Sequence, residues 1–110
     1  MIRIDQIWLG TEPVDMRAGM DTLLSRVVMV FGAAQPHHAY LFTNRRANRM
    51  KVLVHDSIGI WLATRRLHKG SFTWSPANTL NPELTEEQWQ ALIIGLPWHR
   101  IGTGGVIGIL

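Results

Sequence analysis

Seven basic side chains lie between positions 45 and 69: Arg45, Arg46, Arg49, Lys51, Arg65, Arg66 and Lys69. One acid, Asp56, stands among them, so seven positive charges against one negative give this piece +6 in a chain whose total is +3. Cationic groups at this density repel one another, and a bound polyanion relieves the repulsion. The chemistry on offer is phosphate binding, by Arg45, Arg46 and Arg49 around one turn and by Arg65, Arg66 and Lys69 around another. Exposed strand positions also favour Lys and Arg as protection against edge pairing, and that reading stands beside the first. Base-edge recognition has less support, because no helix-turn-helix or zinc-finger spacing is present.

The acids fit catalysis poorly. A metal-dependent nuclease gathers two or three carboxylates on one cation site. Asp15, Glu86 and Glu87 stand where helices are expected to begin, Asp21 on a solvated helix face, and only Asp56 in a turn beside a histidine. His37-His38 and His55-Asp56 lack metal-ligand spacing, and no Gly-rich phosphate loop or nucleophile elbow is found. Cysteine is absent, which removes disulfides, thiolate ligands and a thiol nucleophile. The expectation is no enzyme: no catalytic residue, no metal, no cofactor. Trp61, Trp74, Trp89 and Trp98 would stack on single-stranded bases if exposed. Phe72, Trp74 and Trp89 read instead as core where sheet meets helix, and Trp61 fits either role.

These groups need a frame. Residues 2–10 alternate loosely and suit a short edge strand ending at Gly10. A helix is predicted over 15–31, where Met16, Met20, Leu23, Leu24, Val27 and Phe31 form one stripe, Asp15 takes the N-cap and Gly32 the end. Strands are expected at 39–43, 49–55 and 60–67, then a last short one carrying Phe72 and Trp74. Within 49–55, Met50, Val52 and Val54 share one face. Pairing 49–55 with 60–67 as a hairpin about Ser57-Ile58 sets Arg49 near Arg66 and collects the charges at one end of the sheet. Connections this short make the neighbours antiparallel. Thr85-Glu86-Glu87-Gln88 is a capping box opening a helix over 85–95, with Trp89, Leu92, Ile93 and Leu96 on its apolar face. The fold class is therefore α+β: an antiparallel β-meander of about four or five strands with two helices packed on one face.

At 110 residues, 46% hydrophobic and 17% charged, the chain reads as a single globular domain. That domain is placed at 1–98, with 99–110 a Gly-rich tail that is disordered or foreign to it. No apolar run approaches the roughly 20 residues of a membrane helix. The N-terminus has no apolar core followed by a cleavage site. A cytoplasmic protein without a membrane partner is expected, and nothing in the sequence fixes its oligomeric state.

The order of motifs adds a resemblance. VDMRAGMDTLL (14–24), YLFTNRRANRMKVLVHDSIGIWLATRRLHKGSFTW (40–74) and LTEEQWQALIIGLPW (84–98) resemble the small accessory protein of the insertion-sequence sixty-six family. This is the product of the element's second open reading frame, termed TnpB there and unrelated to the RNA-guided nuclease of that name. The resemblance runs over about residues 5–98. It implies a non-catalytic protein needed for transposition, with a separate, larger transposase supplying the strand-transfer chemistry, and it brings no catalytic residues. The sequence departs from the family pattern at Ser57-Ile58-Gly59, where a Gly-Asp-Gly run is common, and at His68, where an acid is usual.

Joined to the basic cluster, the expectation is a DNA-binding accessory factor that helps assemble the transposition complex. Arg45, Arg46, Arg49, Lys51, Arg65, Arg66 and Lys69 would contact phosphates, and Asp15 with Arg17 would organise the start of the first helix. The partners implied are DNA, the element's transposase and its other transposition proteins. The alternative is a protein–protein adaptor that grips an acidic surface on the transposase without touching DNA. A metal-dependent nuclease centred on Asp56 comes third.

Overall fold

The run Ala39-Tyr40-Leu41-Phe42 is buried at every position, and a sheet is laid out around it. A computed structural model describes residues 3–77 and 79–101. Five strands, β1 (Gln6–Leu9), β2 (His38–Thr43), β3 (Arg49–His55), β4 (Ile60–Arg66) and β5 (Glu83–Leu84), form one sheet in the order β4-β3-β2-β1-β5. β2, β3 and β4 are successive antiparallel neighbours, as their short connections require. β1 is parallel to β2, because the chain between them carries helix α1 (Met20–Phe31) and can return in the same direction. The strand expected at an edge is thus internal, with β5 antiparallel on its other side. β5 lies between Trp74 and Thr85, a stretch for which the sequence predicted no element. Phe72 and Trp74, expected on a strand, lie in irregular backbone, with Phe72 N–H donating to Ala47 O at 2.6 Å.

The helices cover opposite faces of this sheet, which corrects the one-face arrangement. Tyr40, Phe42 and Leu53 pack with Val14, Leu23 and Val27 on the α1 side. Ala39, Leu41, Met50 and Val54 pack on the other face with Ala91 and Leu92 of α2 (Glu86–Ile93) and with Phe72, Leu84 and Trp98. A strand that is apolar on both faces needs cover on both, and one helix cannot supply it. At Gly10 the two layers leave no space: a Cβ there would stand 2.6 Å from the Phe42 ring. The Trp74 indole N–H donates to Gly10 O at 2.8 Å and that of Trp98 to Thr73 O at 2.6 Å, which ties the irregular segment 71–76 into the core.

The helix ends show which sequence signals carry weight. α2 opens with the expected capping box, Gln88 N–H donating to the Thr85 hydroxyl at 3.1 Å and Thr85 N–H to the Gln88 side chain at 2.9 Å. α1 begins at Met20 rather than at 15: Gly19 is its N-cap, and the Asp15 carboxylate serves a turn of its own. Gly32 closes α1 at φ 89°, a conformation that suits glycine. Of the Gly-rich tail, residues 102–110 lie outside the described residues. Among the described residues, no helix is long and apolar enough to cross a membrane.

Candidate nucleic-acid interface

Two asparagines build the β2–β3 loop, residues 44–48. Asn44 Oδ1 accepts from the N–H groups of Asn48 (3.1 Å) and Arg49 (3.2 Å), while its Nδ2 donates to Asn48 Oδ1 at 2.7 Å. Ala47 N–H closes on Asn44 O at 3.0 Å, and Ala47 itself takes φ 55°. Asx side chains replace backbone partners in this way where a chain must reverse tightly. The result is a fixed loop with Arg45 and Arg46 exposed at its tip and Arg49 exposed at its exit.

The hairpin register brings in the next basic pair. Arg49 stands opposite Arg66 across β3 and β4, as the alternation predicted. Beyond β4, Leu67 N–H donates to Asn48 O (3.1 Å) and Phe72 N–H to Ala47 O (2.6 Å), so the turn carrying Lys69 starts and ends against the arginine loop. On the far side, Val14 N–H donates to Thr43 O at 2.9 Å and lays the segment before α1 alongside. Pro13, Val14, Asp15 and Met16 face Asn44, Arg45, Arg46 and Arg49 across an open groove of about 520 Å³.

Asp15 is the acid in that groove, and Arg17 engages it. Asp15 Oδ2 accepts from Arg17 Nη2 at 2.7 Å, and Oδ1 from Arg17 Nε (3.1 Å) and backbone N–H (2.8 Å). The Arg17 side chain first, then its backbone N–H, hold the Asp15 carboxyl at about 2, below its ordinary 3.8. The pair is exposed, so its effect is local: it fixes the turn before α1 and offsets the negative charge of Asp15 beside the arginines. Among the described residues, none of Arg45, Arg46, Arg49, Arg66 and Lys69 has an acidic partner.

Two of the seven basic residues have structural duties. Lys51 Nζ donates to Ala18 O at 2.8 Å, tying β3 to the segment that leads into α1. Arg65 Nε donates to Ile93 O at 2.6 Å, serving a carbonyl that the end of α2 leaves unpaired. Alternation along β4 turns Arg65 to the α2 side and Arg66 to the α1 side, so two adjacent arginines part company. The structure therefore gathers Arg45, Arg46, Arg49 and Arg66 with the Lys69 turn, and leaves Lys51 and Arg65 bonded at the margins. The sequence offered the arginines and turn chemistry at Asn44, but gave no role to Asn48, whose signal was a second Asn at the far end of a short basic loop.

The turn at Asp56 is structurally committed. Its Oδ1 accepts from Gly59 N–H (2.8 Å) and Ile58 N–H (3.2 Å), and its Oδ2 from the Trp61 indole N–H at 2.9 Å. The Trp61 bond foremost, with the Ile58 and Gly59 N–H groups, lowers its pKa. Trp61 remains half exposed on the sheet edge. Among the described residues, no three His, Cys, Asp or Glu side chains form a group that could hold a metal ion.

A family model described as IS66 Orf2 like protein matches residues 5–103. Two proteins of Sinorhizobium fredii, named uncharacterized proteins y4jC and y4hO, are each 30% identical to this chain. The first aligns over 98 residues, 87% of this chain and 83% of its own length, and the second over 96 residues, 86% and 84%. No solved structure matches. The motifs at 14–24, 40–74 and 84–98 fall inside the matched span, so the chain belongs to the IS66 Orf2-like family, the accessory proteins of IS66 transposition.

Proposed function

We propose that the protein is a non-catalytic DNA-binding factor that helps assemble the IS66 transposition complex by holding phosphates at the basic end of its sheet. One observation carries this reading: Arg45 and Arg46 sit at the tip of a loop fixed by Asn44 and Asn48, with Arg49 and Arg66 beside them and no acidic partner among the described residues. A preformed loop loses little freedom on binding, and guanidinium forks match phosphate oxygens. In this reading Lys69 joins the contacts from its turn, while Lys51 and Arg65 frame the site and add long-range attraction. Asp56 is structural in this reading: its oxygens accept from the Gly59 N–H in the turn and from the Trp61 indole N–H on β4.

The test is a fluorescence-anisotropy titration of labelled duplex and single-stranded DNA with the full chain. Binding that is tight at low salt and falls steeply as salt rises supports the reading. Absence of binding to either form at low salt refutes it and favours the adaptor reading, in which the same arginines grip carboxylates on the transposase. Co-purification with the transposase that survives nuclease treatment is the positive sign of that alternative. DNA cleavage with a divalent cation that is lost in Asp56→Ala would overturn the non-catalytic assignment.

A further inference from the structure

The two edges of the sheet differ. β5 is two residues long, whereas β4 offers seven in an unbroken register with β3; it carries no proline and no bulge, and the charges that blunt an edge are confined to Arg65 and Arg66 at one end. Asp56 N–H donates to Gly59 O and Leu67 N–H to Asn48 O, which fixes the alternation of the ladder between them. Trp61, Ala63 and Arg65 turn their backbone groups toward β3, so Ile60, Leu62, Thr64 and Arg66 turn theirs outward. Among the described residues no strand pairs with those outward N–H and C=O groups, which form a template beside a half-exposed Trp61.

We propose that the occupant of this edge is a second copy of the chain, its β4 antiparallel to the first about a two-fold axis at Ala63. That register pairs Ile60 with Arg66 and Leu62 with Thr64, outward backbone against outward backbone, and it uses all seven residues. It also sets Trp61 opposite Arg65 of the second copy in a non-hydrogen-bonded pair, where side chains approach most closely and an arginine can lie over an indole face. No arginine meets an arginine. A parallel pairing would set Arg65 and Arg66 against their own copies, and like charges directly opposed are unfavourable. Trp61 and Arg65 share the α2 side of the sheet, and Arg65 already reaches the end of α2. Trp61 of the second copy therefore comes toward Ile94 and Leu96, two exposed apolar side chains just past that end. The basic loops of the two copies then lie at opposite ends of the joined strands, so the pairing leaves both open.

The test is sedimentation velocity of the full chain, free of nucleic acid, over a wide concentration range. A reversible monomer–dimer equilibrium is expected. Ala63→Glu and Ala63→Lys each place like charges against each other at the axis and raise the dimer dissociation constant by about tenfold or more. An equal mixture of the two variants restores the dimer, because the axis pair is then of opposite sign. Thr64→Pro removes one outward N–H without touching the β3 ladder and weakens the dimer with the circular dichroism spectrum unchanged. A chain that is monomeric throughout, a dimer indifferent to Ala63→Glu and Thr64→Pro, or folded variants whose mixture stays monomeric overturns the proposal. The outcome is read without DNA, so it is independent of the phosphate site.

Discussion

Replacing Asn44 by alanine tests whether the arginine loop is fixed by its asparagines. The substitution removes three side-chain hydrogen bonds, of 2.7, 3.1 and 3.2 Å. Each is worth about 0.5–1.5 kcal/mol net, toward the low end here because the freed Arg49 N–H can turn to water. Together they give a loss of about 2 kcal/mol, which lowers the melting temperature of a domain this size by about 8 °C. Asn44→Asp should lose less, since its two oxygens can still accept from both backbone N–H groups and from the Asn48 amide turned about. Differential scanning calorimetry of the three proteins, with urea midpoints as a second measure, reads the difference. The loosened loop should also bind DNA more weakly in Asn44→Ala than in Asn44→Asp at equal salt. A melting temperature for Asn44→Ala within about 2 °C of the parent would mean that the loop is held by something other than its asparagines.

Gly10→Ala drives a methyl into the Phe42 ring and near Leu41 O, and is expected to cost about 1–3 kcal/mol in urea unfolding. The Asp15 carboxyl titrates lower in the folded chain than in the unfolded one, so its pair with Arg17 contributes stability above about pH 4 that is lost as pH falls toward 2. Urea midpoints between those limits should decline less steeply in Asp15→Asn, and concentrated salt should shrink the difference because the pair is exposed. Arg65→Ala and Arg66→Ala should separate two neighbours in sequence. The first loses a bond to the end of α2 and about 1 kcal/mol of stability, while the second leaves stability nearly unchanged and lowers the salt dependence of DNA binding.

The β3–β4 hairpin was legible in the sequence because alternation and a short turn fix a register, and Arg49 does face Arg66. The start of α2 was legible because a capping box is a local device whose partners lie three residues apart. The start of α1 was not. Met16 fits the helical stripe by spacing, yet Asp15 spends its carboxylate on Arg17 and Gly19 takes the cap, which periodicity cannot register. The two-sided cover of the sheet was written in Ala39-Tyr40-Leu41-Phe42, a continuous apolar run rather than an alternating one. β5 has two residues and no pattern to find; its place depends on β1 lying beside it. In the candidate site, charge density identified the residues, but the separate duties of Lys51 and Arg65 depend on which face each side chain takes. That becomes visible only once Lys51 is seen at Ala18 O and Arg65 at Ile93 O.

The most direct test of the phosphate site compares the salt dependence of DNA affinity for the parent chain and for Arg45→Ala/Arg46→Ala. If both arginines hold phosphates of a duplex, the slope of log K against log salt falls in magnitude by about 0.9 for each contact, so by about 1.8 in the double variant. A double variant with the parent's slope and affinity would rule out phosphate contacts at Arg45 and Arg46, and would place the DNA-binding surface away from the 44–48 loop.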